Sequence, residues 1–352
     1  MDERGYPQKI SKKPGYTHIG TRHAEKDTGA LETKENQQQL SPAGRESARE
    51  DAQEFFRWLI RAVPAGGIVS LSSSTMDRAQ ETKRIFVDTL LELIQENKDH
   101  AATVIVIHCY GADGTPRSNE EIRRATRATR ARYLIIDEQP DADFGYRRDE
   151  VDNLTIFNGA MEFFKSEHVV SMLWAARPDE FPELIHRLYG EVKKQRIELT
   201  AEEEEKLLND VIAAAKSYLM HSQRTPEALV AHQLEAVERS VARSFAVRPE
   251  RRHISLVIQH APGLSFLVLA LFERDGISFK SYDALGDYQH YLEAMSFDVD
   301  LDGNVIFVDF RKNRSSIEPV KLKDIIVGLY QKSEARKQAW DNFFNHSMAE
   351  AT

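Results

Sequence analysis

From Tyr16 to Asp137 the chain alternates short apolar runs with longer amphipathic stretches. Tyr16–Thr21 reads as a strand. "LSPAGRESAREDAQEFFRWLIRAV" reads as a helix, with Ser41 at the N-cap and Pro42 at the first helical position. Its Phe55, Leu59 and Val63 recur at a spacing of four, which predicts one buried face. "GIVSLSSS" is a second strand running into a serine-rich turn, and Asp77–Gln95 is a second helix carrying Ile85, Leu90, Leu93 and Ile94. "TVIVIHC" and "RYLIID" are further strands, separated by an arginine-rich helix. Strands alternating with helices predict a largely parallel sheet covered on both faces, an α/β three-layer sandwich.

Between Leu154 and Val247 the strand pattern gives way to helix signals. Thr200 with Glu203 three residues on is a capping box, followed by the apolar stripe Leu207, Val211, Ala215 and Leu219. Thr225 before Pro226 opens another helix. The acidic run Glu202–Glu205 falls in a first turn, where negative charge suits the helix dipole. Strand signals then return: "HISLVIQH" is a buried strand ending at His260, and "GLSFLVLALF" is an apolar helix or strand. "SFDVDLDGNVIFVDF" alternates on either side of Asp302-Gly303, which marks a hairpin turn. A terminal helix carries Ile325, Leu329, Trp340 and Phe344. The expected organisation is a discontinuous α/β core over 1–153 and 248–318, a helical insertion or cap over 154–247, and a C-terminal helix over 319–352.

Composition narrows the class. The 352 residues are 41% hydrophobic and 29% charged, which fits a globular protein rather than a disordered one. No apolar run reaches bilayer length, and the N-terminus lacks the apolar segment of a secretory signal. With a single cysteine, Cys109, these features suggest a cytoplasmic protein with neither an internal disulfide nor a membrane partner. A net charge of −9 argues against nucleic acid as a partner. Five arginines stand between Arg123 and Arg132, but a helix spreads them over most of its surface, as a solvated face does.

Chemistry concentrates at predicted strand ends. The first strand ends in Arg22-His23, the second leads through "SSSTMDRAQET" to Arg78 at a helix start, and a late strand ends at His260. In an open parallel sheet ligands bind at the carboxyl ends of strands, so two histidines and two arginines are expected to converge in one crevice. Two arginines hold phosphoryl oxygens and offset charge in the transition state. A neutral histidine attacks phosphorus in line, and a second donates hydrogen bonds to the phosphoryl oxygens. A carboxylic acid protonates the leaving oxygen. No metal and no cofactor is required.

"IGTRHAEK", "LSPAGRESARE", "SSSTMDRAQETKRIF" and "VIQHAPGL", in this order and each at a strand-to-helix junction, resemble the histidine phosphatase superfamily, the phosphoglycerate-mutase-like fold. They look most like its first branch, whose members often begin RHAEK or RHGE. The resemblance covers four motifs, over roughly the first ninety residues and around His260. It implies that His23 is the nucleophile that becomes phosphorylated, that Arg22 and Arg78 bind phosphate, and that His260 completes the pocket. The family's proton donor is usually a glutamate four residues before a glycine. In "YLIIDEQPDADFGYRRDE" that spacing from Gly145 selects Asp141, whereas residue type selects Glu138, so both stand as candidates.

Lys26 and Thr28, just past the nucleophile, are candidate substrate contacts. His108 is read as part of a structural loop, with a substrate-side contact as the alternative, and His18 as structural, pointing elsewhere by strand alternation. Trp174, Phe181 and Tyr189 read as core, and His221 and His232 stand too far apart for a metal site. The leading function is metal-independent hydrolysis of a phosphomonoester, from a phosphorylated small molecule or phosphopeptide, through a phosphohistidine. The alternatives are a phosphoglycerate-mutase-type phosphotransferase and a catalytically weak phosphatase-fold protein that binds a phospho-ligand or a protein partner. The apolar C-terminal helix permits a homodimer.

Overall fold

In the computed structural model β1 (Gly15–Arg22) and β5 (Arg252–Gln259) pair in parallel, from Gly15 opposite Arg252 to Arg22 opposite Gln259. The residues described are 6–7, 10–25, 39–63, 67–96, 104–109, 115–127, 133–144, 178–193, 199–221, 225–260, 264, 267–268, 270–271, 292–310 and 313–346. The described Leu264, Leu267 and Val268 of "GLSFLVLALF" are helical. Six more strands complete one sheet: β2 (Ile68–Ser73), β3 (Val104–His108), β4 (Tyr133–Asp137), β6 (Ala294–Val299), β7 (Asn304–Phe310) and β8 (Asn313–Lys321). Its order is β3-β4-β2-β5-β1-β6-β7-β8. The first five strands run parallel, and β6 to β8 close the sheet as an antiparallel meander.

Helices cover both faces. On one, α1 (Pro42–Ala62) and α2 (Asp77–Glu96) pack Phe55, Leu59, Phe86 and Leu90 onto Ile19, Leu71, Leu256 and Ile258. On the other, Ile122 of α3 (Asn119–Arg127) meets Ile68, Leu134 and Ile136. There too Phe245, near the end of a long helix (Pro226–Val247, α6 below), stands edge-on to His253. The mostly parallel three-layer α/β arrangement is therefore the one the sequence predicts. Local signals explain its edges. The Ser41 hydroxyl accepts from Gly44 N at 2.9 Å to cap α1, a contact of the kind that contributes about 1 kcal/mol. Between β6 and β7, Asp300 accepts from the backbone of Asp302 and Asn304, and Gly303 takes φ +81°.

The chain divides into two compact units. Unit 1 comprises 1–146, 232–278 and 289–326 and holds the sheet. Unit 2 comprises 147–231, 279–288 and 327–352, and the boundary at 231/232 falls inside α6. Two helices lie within unit 2, α4 (Phe181–Lys193) and α5 (Ala201–His221), and α7 (Leu322–His346) contributes most of its length to it. The expected capping box forms, with Thr200 N and Oγ1 both donating to Glu203 and Glu203 N donating back to Thr200 Oγ1. Phe181 packs against Trp340, Phe343 and Phe344 at 5.3 Å each, so the apolar stripe of the terminal helix is buried within its own unit. Thr225 Oγ1 bonds Ser333 Oγ at 2.7 Å, and Arg336 forms an ion pair with Glu227.

A buried ion pair ties three adjacent strands together. Arg252 of β5 donates to Asp298 of β6 at 2.5 Å and to Thr17 Oγ1 of β1 at 2.6 Å, and Thr17 donates onward to Asp298 at 2.6 Å. Both charged side chains are more than nine-tenths buried. Removing one partner strands the other charge. Arg252→Met is therefore expected to cost about 3–5 kcal/mol in urea unfolding, and adding Asp298→Leu is expected to recover most of that loss. A double variant as unstable as the single one would contradict this reading.

Candidate active site

The β1–β5 register sets the site. Past Arg22 the ladder continues, with His23 N donating to Gln259 O at 2.9 Å, so His23 and the next residue of the other strand, His260, emerge side by side. Their rings lie 4.8 Å apart between centroids, tilted by 57°. Arg78 starts α2 directly after β2, and its Nη2 donates to His260 Nδ1 at 3.3 Å. Arg22 pairs with Gln259, the residue before His260. Arg22, His23, Arg78 and His260 are each at least nine-tenths buried. The structure thus gathers four of the residues singled out from the sequence into one cluster at the carboxyl edge of the sheet.

Hydrogen bonds fix the protons. His23 Nδ1 lies 2.6 Å from Ala24 O. A carbonyl only accepts, so Nδ1 carries a proton and, in the neutral ring, the lone pair sits on Nε2. His260 has the opposite tautomer. Its Nδ1 accepts from Arg78, so its proton is on Nε2 and is donated to Ser74 Oγ at 3.1 Å. Burial first, then His23, Arg78 and Arg22, holds His260 well below the usual histidine range and keeps it neutral. The sequence reading has His260 donating to a phosphoryl oxygen, whereas here both ring nitrogens engage protein groups.

Three supporting residues escape a reading by motif. Ser74 holds His260 and anchors its own amide to Ile258 O at 2.9 Å. Thr82, one turn beyond Arg78, accepts from Ala24 N at 3.2 Å and donates to Arg78 O at 2.8 Å, linking the loop after His23 to α2. Gly44 allows α1 to abut that loop, since a Cβ there would stand 2.2 Å from Glu25 O. The only advance signal for any of these was the run of serines and the glycine in "SPAG".

The two carboxylates occupy different places. Asp141 N donates to Ser73 O at 2.9 Å, one residue before the Ser74 that holds His260. The Asp141 carboxylate accepts from Asp143 N at 2.9 Å and from Arg239 of α6 at 3.1 Å. Glu138 instead lines a cavity of about 20 Å³ with Cys109, Ser70, His253 and Arg243. Burial raises its carboxyl against the opposing pull of Arg243 and Lys83, and burial also pushes the Cys109 thiol up to about 12. His108 points to neither histidine: its Nδ1 pairs with buried Asp137 at 2.8 Å, which Lys83 holds from the other side at 2.9 Å. His18 shares the face of Arg22, two strand periods earlier, rather than pointing away from it, and is fully buried. In the arginine-rich helix Arg124 pairs with Glu120 on an exposed face, while Lys26, Thr28, Gly145, Trp174 and Arg130–Arg132 lie outside the described residues.

Among the described residues no group of three or more His, Cys, Asp or Glu is arranged to hold a metal ion. No described helix is long and apolar enough to cross a membrane. No family profile and no curated protein matches the chain. Solved structures to which it is similar include a mycobacterial glucosyl-3-phosphoglycerate phosphatase, at 10% identity, 81% of this chain, 93% of that chain and a TM-score of 0.36. Another is described as mycobacterial hydrolase 2, at 11% identity, 91% and 98% coverage and a TM-score of 0.38. A Klebsiella phytase is similar at 9% identity, 92% and 97% coverage and a TM-score of 0.34. These likenesses are too distant to define a family, and the fold and site stand on the chain's own geometry.

Burial also gives the site a pH signature. It lowers His18 to about 3 and His253 to about 4, with His260 depressed as well. Each folded value lies below the ordinary value near 6.5, so unfolding takes up protons as pH falls through 6.5. The stability these rings contribute is complete above that point and is lost progressively below it. Urea unfolding at pH 5.5 is expected to take up about two to three protons, and stability to fall between pH 7 and 5. An unfolding transition without proton uptake at pH 5.5 would contradict the buried, neutral state of these rings.

Proposed function

We propose that this protein is a metal-independent phosphatase that hydrolyses a phosphomonoester through a phosphohistidine on His23. The observation that carries the reading is the Nδ1–Ala24 O hydrogen bond, which leaves the attacking lone pair on Nε2 inside a cluster with two arginines. Nε2 attacks phosphorus in line, the P–O bond to the leaving group breaks, and water then cleaves the P–N bond to release phosphate. Arg22 and Arg78 offset the charge on the phosphoryl oxygens. His260 orients Arg78 through its Nδ1 and is itself held by Ser74. Two carboxyls are candidate proton donors: Asp141, whose backbone is bonded to Ser73 but whose carboxylate accepts from Arg239, and Glu138, whose carboxyl burial raises beside a separate small cavity. The substrate class is a phosphorylated small molecule or phosphopeptide, in keeping with a pocket that has two cations in an otherwise acidic chain.

A panel of phosphorylated metabolites and phosphopeptides, assayed with and without chelator, tests this reading. At least one phosphomonoester is expected to turn over equally with chelator present, and His23→Ala to lose about 10³-fold or more of that rate. Of Asp141→Asn and Glu138→Gln, the one that removes the proton donor is expected to slow release of poorly departing alcohols by about 10²-fold and to spare activated aryl phosphates. Turnover that requires added metal, or that survives His23→Ala, would overturn the mechanism. A protein that binds phosphate tightly and turns over nothing on the panel would favour the binding-protein alternative.

A further inference from the structure

Gln259 is the residue through which both site histidines meet the sheet. Its backbone oxygen accepts from His23 N at 2.9 Å, and His260 follows it in the chain. In the β1–β5 register Ser255, Val257 and Gln259 stand opposite His18, Gly20 and Arg22, so all six share one face of the sheet. His18 and Gln259 are completely buried. Neither ring nitrogen of His18 and neither carboxamide atom of Gln259 has a hydrogen-bond partner among the described residues.

These groups converge. Gln259 Nε2 lies 2.7 Å, and His18 Nε2 3.5 Å, from the point where a Cβ on Gly20 would stand. The two nitrogens are therefore at most about 6 Å apart, a span that one water covers with two ordinary hydrogen bonds. Apolar groups form the surroundings: Leu264 packs on Gly20, and the His18 ring lies 5.0 Å from Phe297 and 6.2 Å from Phe144. A neutral imidazole offers one donor and one acceptor, and a carboxamide offers both. A buried water needs that mixture from two to four partners. Burial keeps the His18 ring in its neutral form.

We propose that His18, Gly20 and Gln259 form an internal water-binding site beneath the His23–His260 pair, and that His18 and Gln259 act through it as positioning residues. The bound water fixes the Gln259 side chain, and the Gln259 backbone in turn fixes His23. The proposal rests on the phosphatase reading only for its consequence in phosphate binding. A Cβ at position 20 would stand 2.7 Å from Gln259 Nε2 and 2.5 Å from Leu264 Cδ2, so a side chain there displaces both.

Thermal unfolding of the full chain, Gln259→Leu, His18→Phe and the double variant, together with calorimetric titration of inorganic phosphate, tests the site. With a bridging water each single change removes a partner, so each is expected to lower the midpoint, and the double variant to lose less than the two singles together. Phosphate is expected to bind several-fold more weakly to Gln259→Leu. A midpoint raised by either single change, as removal of an unbonded buried polar group produces, would overturn the site. So would strictly additive losses, or unchanged phosphate affinity in a folded Gln259→Leu. Should Gln259→Leu fail to fold, a high-resolution crystal structure decides: an ordered water within hydrogen-bond reach of His18 and Gln259 supports the site, and a direct protein partner on both refutes it. Wild-type protein that neither binds phosphate nor turns over a phosphomonoester would remove the phosphatase reading, and the unfolding series would still judge the water site.

Discussion

The parallel pairing of β1 with β5 is the constraint on which the site depends. It joins a strand near the start of the chain to one near residue 255, and it is continued past Arg22 by the bond from His23 N to Gln259 O. A slip of one residue would send every side chain of one strand to the other face, separating the two histidines and burying their neighbours wrongly. The Arg252–Asp298–Thr17 cluster makes such a slip costly, because it would leave a buried charge unpaired far from water. The register that holds the core is thus also the register that assembles the chemistry.

The electrostatics follow from the same burial. Buried arginines beside a buried histidine favour its neutral ring, and His260 is held neutral in this way. Hydrogen bonds then choose the tautomers. Ala24 O takes the Nδ1 proton of His23, while Arg78 and Ser74 hold His260 in the opposite tautomer. On the proposed reading, an imidazole with a free Nε2 lone pair and a pair of guanidinium groups stand preorganised for a phosphoryl group, which is where such sites obtain most of their rate advantage.

Much of this was legible along the chain, for local reasons. Ser41, Thr200 with Glu203, and Asp302-Gly303 each announced an element boundary by chemistry that acts within four residues. Arg22, His23, Arg78 and His260 were readable because each stands at, or shortly past, the end of a predicted strand, and parallel topology sends such ends to one edge. β8 was missed because it is an edge strand with Pro319 and alternating charges, which lacks the apolar run of the central strands. The side-chain partnerships were not legible at all. Nothing in spacing pairs Ser74 with His260, seats Asp137 between Lys83 and His108, or turns Glu138 toward Cys109 while Asp141 is tied beside Ser73. These depend on register between distant strands. His18 shows the same limit, since the β1–β5 register, and not spacing along the chain, brings it to the face it shares with Gln259.

With Nδ1 committed to Ala24 O, the proposed phosphohistidine mechanism requires phosphorus to join His23 at Nε2. Rapid-quench trapping of the phosphoenzyme under alkaline conditions, with ³¹P and ¹⁵N spectroscopy on histidine-labelled protein, measures this directly. One phosphohistidine is expected, at position 23 and on Nε2. Phosphorus on Nδ1 or on another residue, or no phosphoenzyme during rapid turnover, would contradict it.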